Sequence, residues 1–298
     1  MERIGFIGLG AMGRPMASNL RRKGFELLVY DVQPEPCAGL AALGAKVARS
    51  VGEVAREASL VVTMLPDSPD VEAVALGAGG IAEHAHEGLL VMDMSTVDPA
   101  TTDLLAERLL ARGIAFVDAP VGRLVSHAER GESLFMVGAS HNDFGRVKPL
   151  LEAMGTTVHH CGKPGTGIRT KLVNNYLAII SCQVNAEALA LAQAYGLDLA
   201  KTLEVVNGTT ATNGQLKQGW PFKVLKGDIA PGFRIALAHK DLSLAVEAAR
   251  KAGVPVYVGA VARECLGQAK RTGDYGEKDF SALLEIVCRQ AGIKPPRL

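Results

Sequence analysis

Two groups of residues in this chain have the types and spacing to do chemistry. Gly8-Leu9-Gly10-Ala11-Met12-Gly13 places glycine at a spacing suited to holding a pyrophosphate. The first glycine permits a tight turn, the second lets backbone amides approach the phosphates, and the third allows a helix to pack closely with its N-terminus facing the anion. Asp31 follows Gly13 by eighteen residues, the place for a carboxylate that accepts hydrogen bonds from adenosine ribose hydroxyls. The same charge repels a 2′-phosphate, so the pattern predicts NAD in preference to NADP. The second group is Lys171, Asn174 and Asn175, at i, i+3 and i+4, which puts an ammonium and two amides on one helical face. Among the apolar residues around it, a partly desolvated lysine has a lowered pKa suited to proton transfer.

The elements needed to position these groups are legible in the hydrophobic pattern. Arg3 to Ile7 reads as a buried strand, Met12 to Lys23 as a helix ending at Gly24, and Phe25 to Asp31 as a second strand: one βαβ unit. Further strands are expected at 60–65, 89–94, 114–118, 134–137 and 157–161, with helices over 99–112 and 142–154. Alternating strands and helices predict a mostly parallel sheet covered on both faces. The cluster Gly162-Lys163-Pro164-Gly165-Thr166-Gly167 reads as the boundary between residues 1–163, a Rossmann-type α/β domain, and residues 164–298, an all-helical domain. That second domain opens with an unusually long helix from Ile168 to about Tyr195, followed by helical patterns at 200–206, 238–252, 256–272 and 280–291.

Composition narrows the function classes. Across 298 residues, 32 Lys+Arg face 31 Asp+Glu, and no basic block suggests a nucleic-acid or anionic-membrane partner. No uninterrupted apolar run reaches the roughly 18 residues of a membrane span, and the expectation is a soluble cytoplasmic protein. The apolar stretch from Ile4 to Gly13 reads as a strand and glycine turn rather than as a targeting signal. Five scattered cysteines form no Cys-x-x-Cys pair and read as buried thiols in a reducing compartment. The seven histidines show no metal-ligand spacing, so no metal is expected. His239 is left open between lining a cleft and packing.

These residues resemble the β-hydroxyacid dehydrogenase family, which includes 3-hydroxyisobutyrate and 6-phosphogluconate dehydrogenases. The resemblance rests on Gly5 to Gly13 with Pro15-Met16-Ala17, on Met64-Leu65-Pro66, on Asp93-Met94-Ser95-Thr96, on Gly165-Thr166-Gly167 with Lys171, Asn174 and Asn175, and on Lys240-Asp241-Leu242. It implies that Leu65, Pro66, Thr96 and Lys240 join the glycine loop and Asp31 in binding the cofactor, and that Lys171 is the acid/base. One motif departs from the family pattern. Where relatives follow Asp-Ala-Pro-Val with Ser-Gly-Gly, a loop that holds the substrate carboxylate, this chain reads Asp118-Ala119-Pro120-Val121-Gly122-Arg123-Leu124. In that loop, and in Gly167-Ile168-Arg169, Asn174-Asn175-Tyr176 and Trp220-Pro221, it resembles the sulfolactaldehyde reductase branch.

The resemblance implies an active site in the cleft between the domains and hydride transfer between nicotinamide and a primary alcohol or aldehyde carbon of a short hydroxy acid. Lys171 moves the proton, Asn175 with Asn174 orients the reacting oxygen, and Ser95, Gly122, Arg123 and Asn174 hold the substrate. Arg123 favours a three-carbon sulfonate. The alternatives are a carboxylate-specific relative acting on hydroxyisobutyrate or tartronate semialdehyde, and a dinucleotide-binding regulatory protein without catalysis. Relatives suggest a homodimer or homotetramer.

Overall fold

A computed structural model describes residues 3–298 and divides into two compact units, Met1–Lys171 and Leu172–Leu298. The division falls at Lys171, inside the long helix, rather than at the glycine cluster after Lys163.

Among the described residues the first unit has nine strands: β1 (Arg3–Ile7), β2 (Glu26–Tyr30), β3 (Lys46–Val47), β4 (Leu60–Thr63), β5 (Leu90–Asp93), β6 (Ala115–Asp118), β7 (Val121–Gly122), β8 (Ser133–Gly138) and β9 (Gly155–Gly162). The order is β3-β2-β1-β4-β5-β6-β8-β7, with β9 paired to β8. From β3 to β6 every pairing is parallel; β8 runs antiparallel to β6 and β7. The first six strands have the doubly wound order whose reversal lies between β1 and β4, the place where such sheets bind ligands beyond their carboxyl ends. The helices of this unit are α1 (Gly13–Arg22), α2 (Pro34–Ala42), α3 (Val51–Glu57), α4 (Ser68–Leu76), α5 (Ile81–His84), α6 (Pro99–Leu110), α7 (Val125–Glu129) and α8 (His141–Met154).

Strand residues alternate between two cores. Ile4, Phe6, Leu27, Val29, Leu60, Val62, Leu90 and Met92 join one cluster, while Ile7, Leu28, Val61 and Val91 join the other. Successive side chains point to opposite faces, and both faces are covered, which explains the continuous apolar runs in the sequence. Truncating a fully buried strand residue such as Phe6 to alanine costs about 3–5 kcal/mol.

The second unit is helical. α9 (Thr166–Ala194) is followed by α10 (Leu199–Asn207), α11 (Ile235–Lys251), α12 (Tyr257–Lys270) and α13 (Leu283–Gln290). Between α10 and α11 the chain makes short π- and 3₁₀-helical turns. Ile179, Cys182, Ala186 and Leu189 form a buried stripe on α9 that clusters with Ala238 and Leu242 of α11, Leu266 of α12 and Leu284 of α13. At 29 residues α9 is long and apolar enough to cross a membrane by length and composition, although half of its most apolar window is buried within the fold. Lys171, Asn175, Gln183 and Asn185 lie buried on it, which marks it as a core helix.

Candidate active site

The β1–α1 turn has the shape a pyrophosphate requires. Gly8 adopts φ +94°, and a Cβ there would come 2.3 Å from the Met64 carbonyl oxygen; one at Gly13 would come 2.0 Å from that of Gly8. These two glycines close the turn. Above Gly10 nothing lies within 4 Å of a would-be Cβ, so backbone can be approached there. No side chain caps the α1 N-terminus at Met12, and its first turn holds no acid, leaving the positive end of the helix for a ligand anion. Ala11 and Met12 complete the loop between Gly10 and α1. Asp31, just beyond β2, accepts from the Leu9 amide at 2.6 Å and the Gln33 amide at 2.8 Å. It therefore braces the glycine loop, and each carboxylate oxygen retains acceptor capacity for a hydroxyl.

The loops after β4 and β5 are tied together. Ser95 is 2% exposed, donates its hydroxyl to Asp93 Oδ1 at 2.6 Å and accepts from the Leu65 amide at 2.9 Å. Thr63 also donates to Asp93 Oδ1, at 2.8 Å. Ser95 is thus a buried link between Asp93 and the Leu65 amide.

Lys171 is 9% exposed and donates to the Val121 carbonyl at 2.6 Å. One turn further along α9, Asn175 is buried and Asn174 exposed. Asn174 Nδ2 donates to Asn175 Oδ1 at 3.1 Å, and Asn175 Nδ2 donates to Asp241 Oδ2 at 2.8 Å. Asp241 also pairs with Lys240 across 3.2 Å. The two predicted groups of the helical unit, Asn174-Asn175 and Lys240, are therefore joined through Asp241. Sequence reading assigned Asp241 no role; the available signal was an acid between Lys240 and Leu242 in an apolar stretch of helix.

Gly122 is buried in β7 opposite Leu134 of β8. Arg123 has φ +69°, the only positive φ of a non-glycine among the described residues, at a place where relatives are expected to carry glycine. Its Nη1 donates to the Glu132 carbonyl and to Thr156 Oγ1 at 2.9 Å, and its Nη2 to Thr157 Oγ1 at 3.1 Å. The guanidinium is thus not a free fork: it braces the starts of β8 and β9, with Nε–H and one Nη2–H uncommitted.

Residues 3–162 match the NAD binding domain of 6-phosphogluconate dehydrogenase, and residues 165–287 match the NAD-binding domain of NADP-dependent 3-hydroxyisobutyrate dehydrogenase. The chain belongs to the β-hydroxyacid dehydrogenase family. It is 42% identical over 293 residues to 3-sulfolactaldehyde reductase of Escherichia coli, covering 98% of each chain, and 38% identical to mitochondrial 3-hydroxyisobutyrate dehydrogenase of Mus musculus, covering 95% of this chain and 86% of that protein. Its fold superposes with a TM-score of 0.90 on 3-hydroxyisobutyrate dehydrogenase of Mycobacterium tuberculosis, at 31% identity, covering 96% of this chain and 99% of the other. As a β-hydroxyacid dehydrogenase the chain is an NAD-binding oxidoreductase acting on hydroxyl or aldehyde groups. The Rossmann-type unit followed by a helical region is the architecture expected from the strand and helix pattern.

His239 is half-buried on α11. A Cβ on Gly267 of α12 would lie 3.2 Å from its Nε2, so the ring packs against that helix. Burial, with Lys270 and Arg263 nearby, pushes its pKa down, which favours a neutral ring.

Proposed function

We propose that this protein is an NAD(H)-dependent reductase of a short anionic aldehyde, of the sulfolactaldehyde type, with Lys171 as its proton donor. The observation that carries the chemistry is the buried Lys171 ammonium, seated on the Val121 carbonyl one turn before the Asn175–Asp241 pair. Likeness to sulfolactaldehyde reductase over the whole chain supports the substrate class. Residues Gly8 to Gly13 would hold NADH, which would supply the hydride. Lys171 in its ammonium form donates a proton to the alkoxide oxygen as the carbonyl is reduced; in the reverse direction the neutral amine accepts it. Asp241 fixes the Asn175 amide, which with Asn174 orients the reacting oxygen and contacts the substrate. Arg123, already braced, offers its uncommitted N–H groups to the anionic end, with Gly122 keeping the loop slim and Ser95 holding the neighbouring loop. Asp31 favours NAD over NADP by repelling a 2′-phosphate, Leu65, Pro66 and Thr96 complete the cofactor site of the first unit, and the family resemblance assigns Lys240 of the second unit to the same cofactor.

We further infer a homo-oligomer, a dimer or tetramer, built on the helical unit. Val173, Leu177, Val184 and Leu191 are 65%, 63%, 51% and 53% exposed along one face of α9, at the four- and seven-residue steps of a helix-packing seam.

The test is a panel of sulfolactaldehyde, tartronate semialdehyde, methylmalonate semialdehyde and the corresponding alcohols, assayed by NADH absorbance with wild type and Lys171→Ala. The sulfonate aldehyde is expected to be preferred, and the variant to bind NADH normally with turnover lower by about 10²–10⁴-fold. Preference for a carboxylate supports the hydroxyisobutyrate-type alternative instead. Normal turnover in Lys171→Ala removes the proposed acid, and inactivity on every substrate returns the question to a non-catalytic binding role.

A further inference from the structure

Asp118 has no part in the chemistry above, yet it is buried at the end of β6 and directed at the start of α9. Its Oδ1 accepts from the Gly165 amide at 2.6 Å and its Oδ2 from the Ile168 amide at 2.7 Å. The first amides of a helix lack intrahelical partners and form its positive end. A carboxylate on another element here does the work of a capping side chain. Three residues later Val121 accepts the Lys171 ammonium on its carbonyl, so the segment from Asp118 to Val121 holds α9 at its first amides and at Lys171. Pro120, with its fixed φ, lies between the two grips. The surrounding walls are cut to the carboxylate: a Cβ on Gly138 would come 2.3 Å from Asp118 Oδ1, and one on Gly167 would come 2.8 Å from Oδ2. Arg169 adds an outer tie, donating to Asp103 of α6 and to the Gly165 carbonyl.

We propose that Asp118 is a positioning residue for Lys171: its carboxylate sets the place and rotation of the first turn of α9 and so delivers the ammonium to the Val121 carbonyl. The proposal rests on the reading of Lys171 as the proton donor. The charged groups facing the carboxylate are Asp93 on the neighbouring strand and Arg169 on α9, the latter paired with Asp103. Burial pushes the Asp118 carboxyl up to about 6; the Gly165 and Ile168 amides pull against this rise, and Asp93 adds to it. Protonation below that pH replaces a charged acceptor by a weaker neutral one and loosens the grip on α9. Activity therefore falls on the acid side.

The experiment compares wild type, Asp118→Asn, Lys171→Ala and the double variant, measuring reduction of the best aldehyde from pH 5 to 8, NADH affinity by fluorescence and fold by circular dichroism. Asp118→Asn is expected to lower kcat by about 10- to 100-fold, the effect of misplacing a catalytic group by about an ångström, with NADH affinity within about twofold. The acid limb near pH 6 should vanish in Asp118→Asn, and the double variant should be no slower than Lys171→Ala, because a residue acting through Lys171 has nothing left to position. Additive losses, or an acid limb retained in Asp118→Asn, overturn the proposal. If Lys171→Ala is itself fully active, the reading of the lysine fails first and the two failures are told apart. Wild type gives an answer that needs no variant. Hydrogen-exchange protection of the Gly165 and Ile168 amides, corrected for intrinsic rates and taken relative to amides of the central strands, should drop as pH falls through about 6; relative protection that stays constant overturns the proposal even if Asp118→Asn does not fold.

Discussion

Arg123 presents two demands that its variants separate. Left-handed backbone at a non-glycine residue costs about 1–3 kcal/mol, and three hydrogen bonds to Glu132, Thr156 and Thr157 hold the side chain in place. Were it a brace alone, Arg123→Ala would lower stability, Arg123→Gly would recover part of it by relieving the backbone, and neither would alter substrate choice. As an anion-binding group, both variants should lose about 10- to 150-fold in kcat/KM on a sulfonate aldehyde, with a smaller loss on a carboxylate of the same length. The ratio of efficiencies on the two substrates is the deciding measurement. Asp118 invites a stability test of known sign. Its folded pKa of about 6 lies above its ordinary 3.8, so the native state binds its proton more readily than the unfolded chain. Because burial outweighs the two amides, its contribution to the stability of the whole fold is full below about pH 3.8 and is lost as pH rises through about 6, although protonation weakens the Gly165 and Ile168 hydrogen bonds themselves. In Asp118→Asn the side-chain amide does not titrate. The stability of that variant relative to wild type should therefore become more favourable from pH 4 to pH 7, by up to about 3 kcal/mol, measured by urea unfolding at each pH. A flat difference refutes the shift; a rising one means that charge is kept at this site against stability.

The elements differ in how openly the sequence announces them, and the reason is where their partners lie. β1, α1 and β2 are readable because their apolar runs and the three glycines are local signals, and α9 because its 29 residues are helix-compatible without a break. α2 is rich in alanine and proline with little contrast between its faces, and β7 has only two residues; neither has a pattern to read. The irregular turns over 215–226 depend on a distant network, in which Asn185 and Asn213 exchange hydrogen bonds and Gln215 donates to the Ala178 carbonyl. At the site, Lys171, Asn174, Asn175 and the glycine loop are legible from spacing. Asp118 and Asp241 are not, because their meaning lies in amides and ammonium groups far away in sequence. The outer face of α9 carries its own prediction. Leu177→Glu or Val184→Glu places a charge in the proposed seam without touching the buried stripe at Ile179 and Cys182. Sedimentation velocity should then show the wild-type oligomer dissociating while helical content is unchanged; an unaltered sedimentation coefficient in both variants removes α9 as the interface.

At the scale of the whole molecule, cofactor binding energy is felt first in the segments that touch the cofactor. The glycine loop, Asp31, Leu65, Pro66 and Thr96 all belong to the first unit, whose two cores sandwich one sheet. Lys240 belongs to the second, whose core is separate in composition. A ligand that binds only the native state stabilises it by about 2.7 kcal/mol at a hundred times its Kd, and hydrogen exchange resolves which segments share in that gain. Saturating NADH should slow exchange most strongly over residues 8–13 and in the loops after β4 and β5. If Lys240 reaches the cofactor, a second protected segment should appear at the start of α11, and Lys240→Ala should abolish that segment while leaving the first in place. NADPH offers the control for Asp31. At equal concentration it should protect the glycine loop less than NADH, and Asp31→Ala should narrow the gap. That variant also removes the acceptor of the Leu9 amide, so protection by NADH itself should weaken too. Equal protection by both cofactors in wild type would mean that the carboxylate serves the loop alone and that selection against the 2′-phosphate is not made at Asp31.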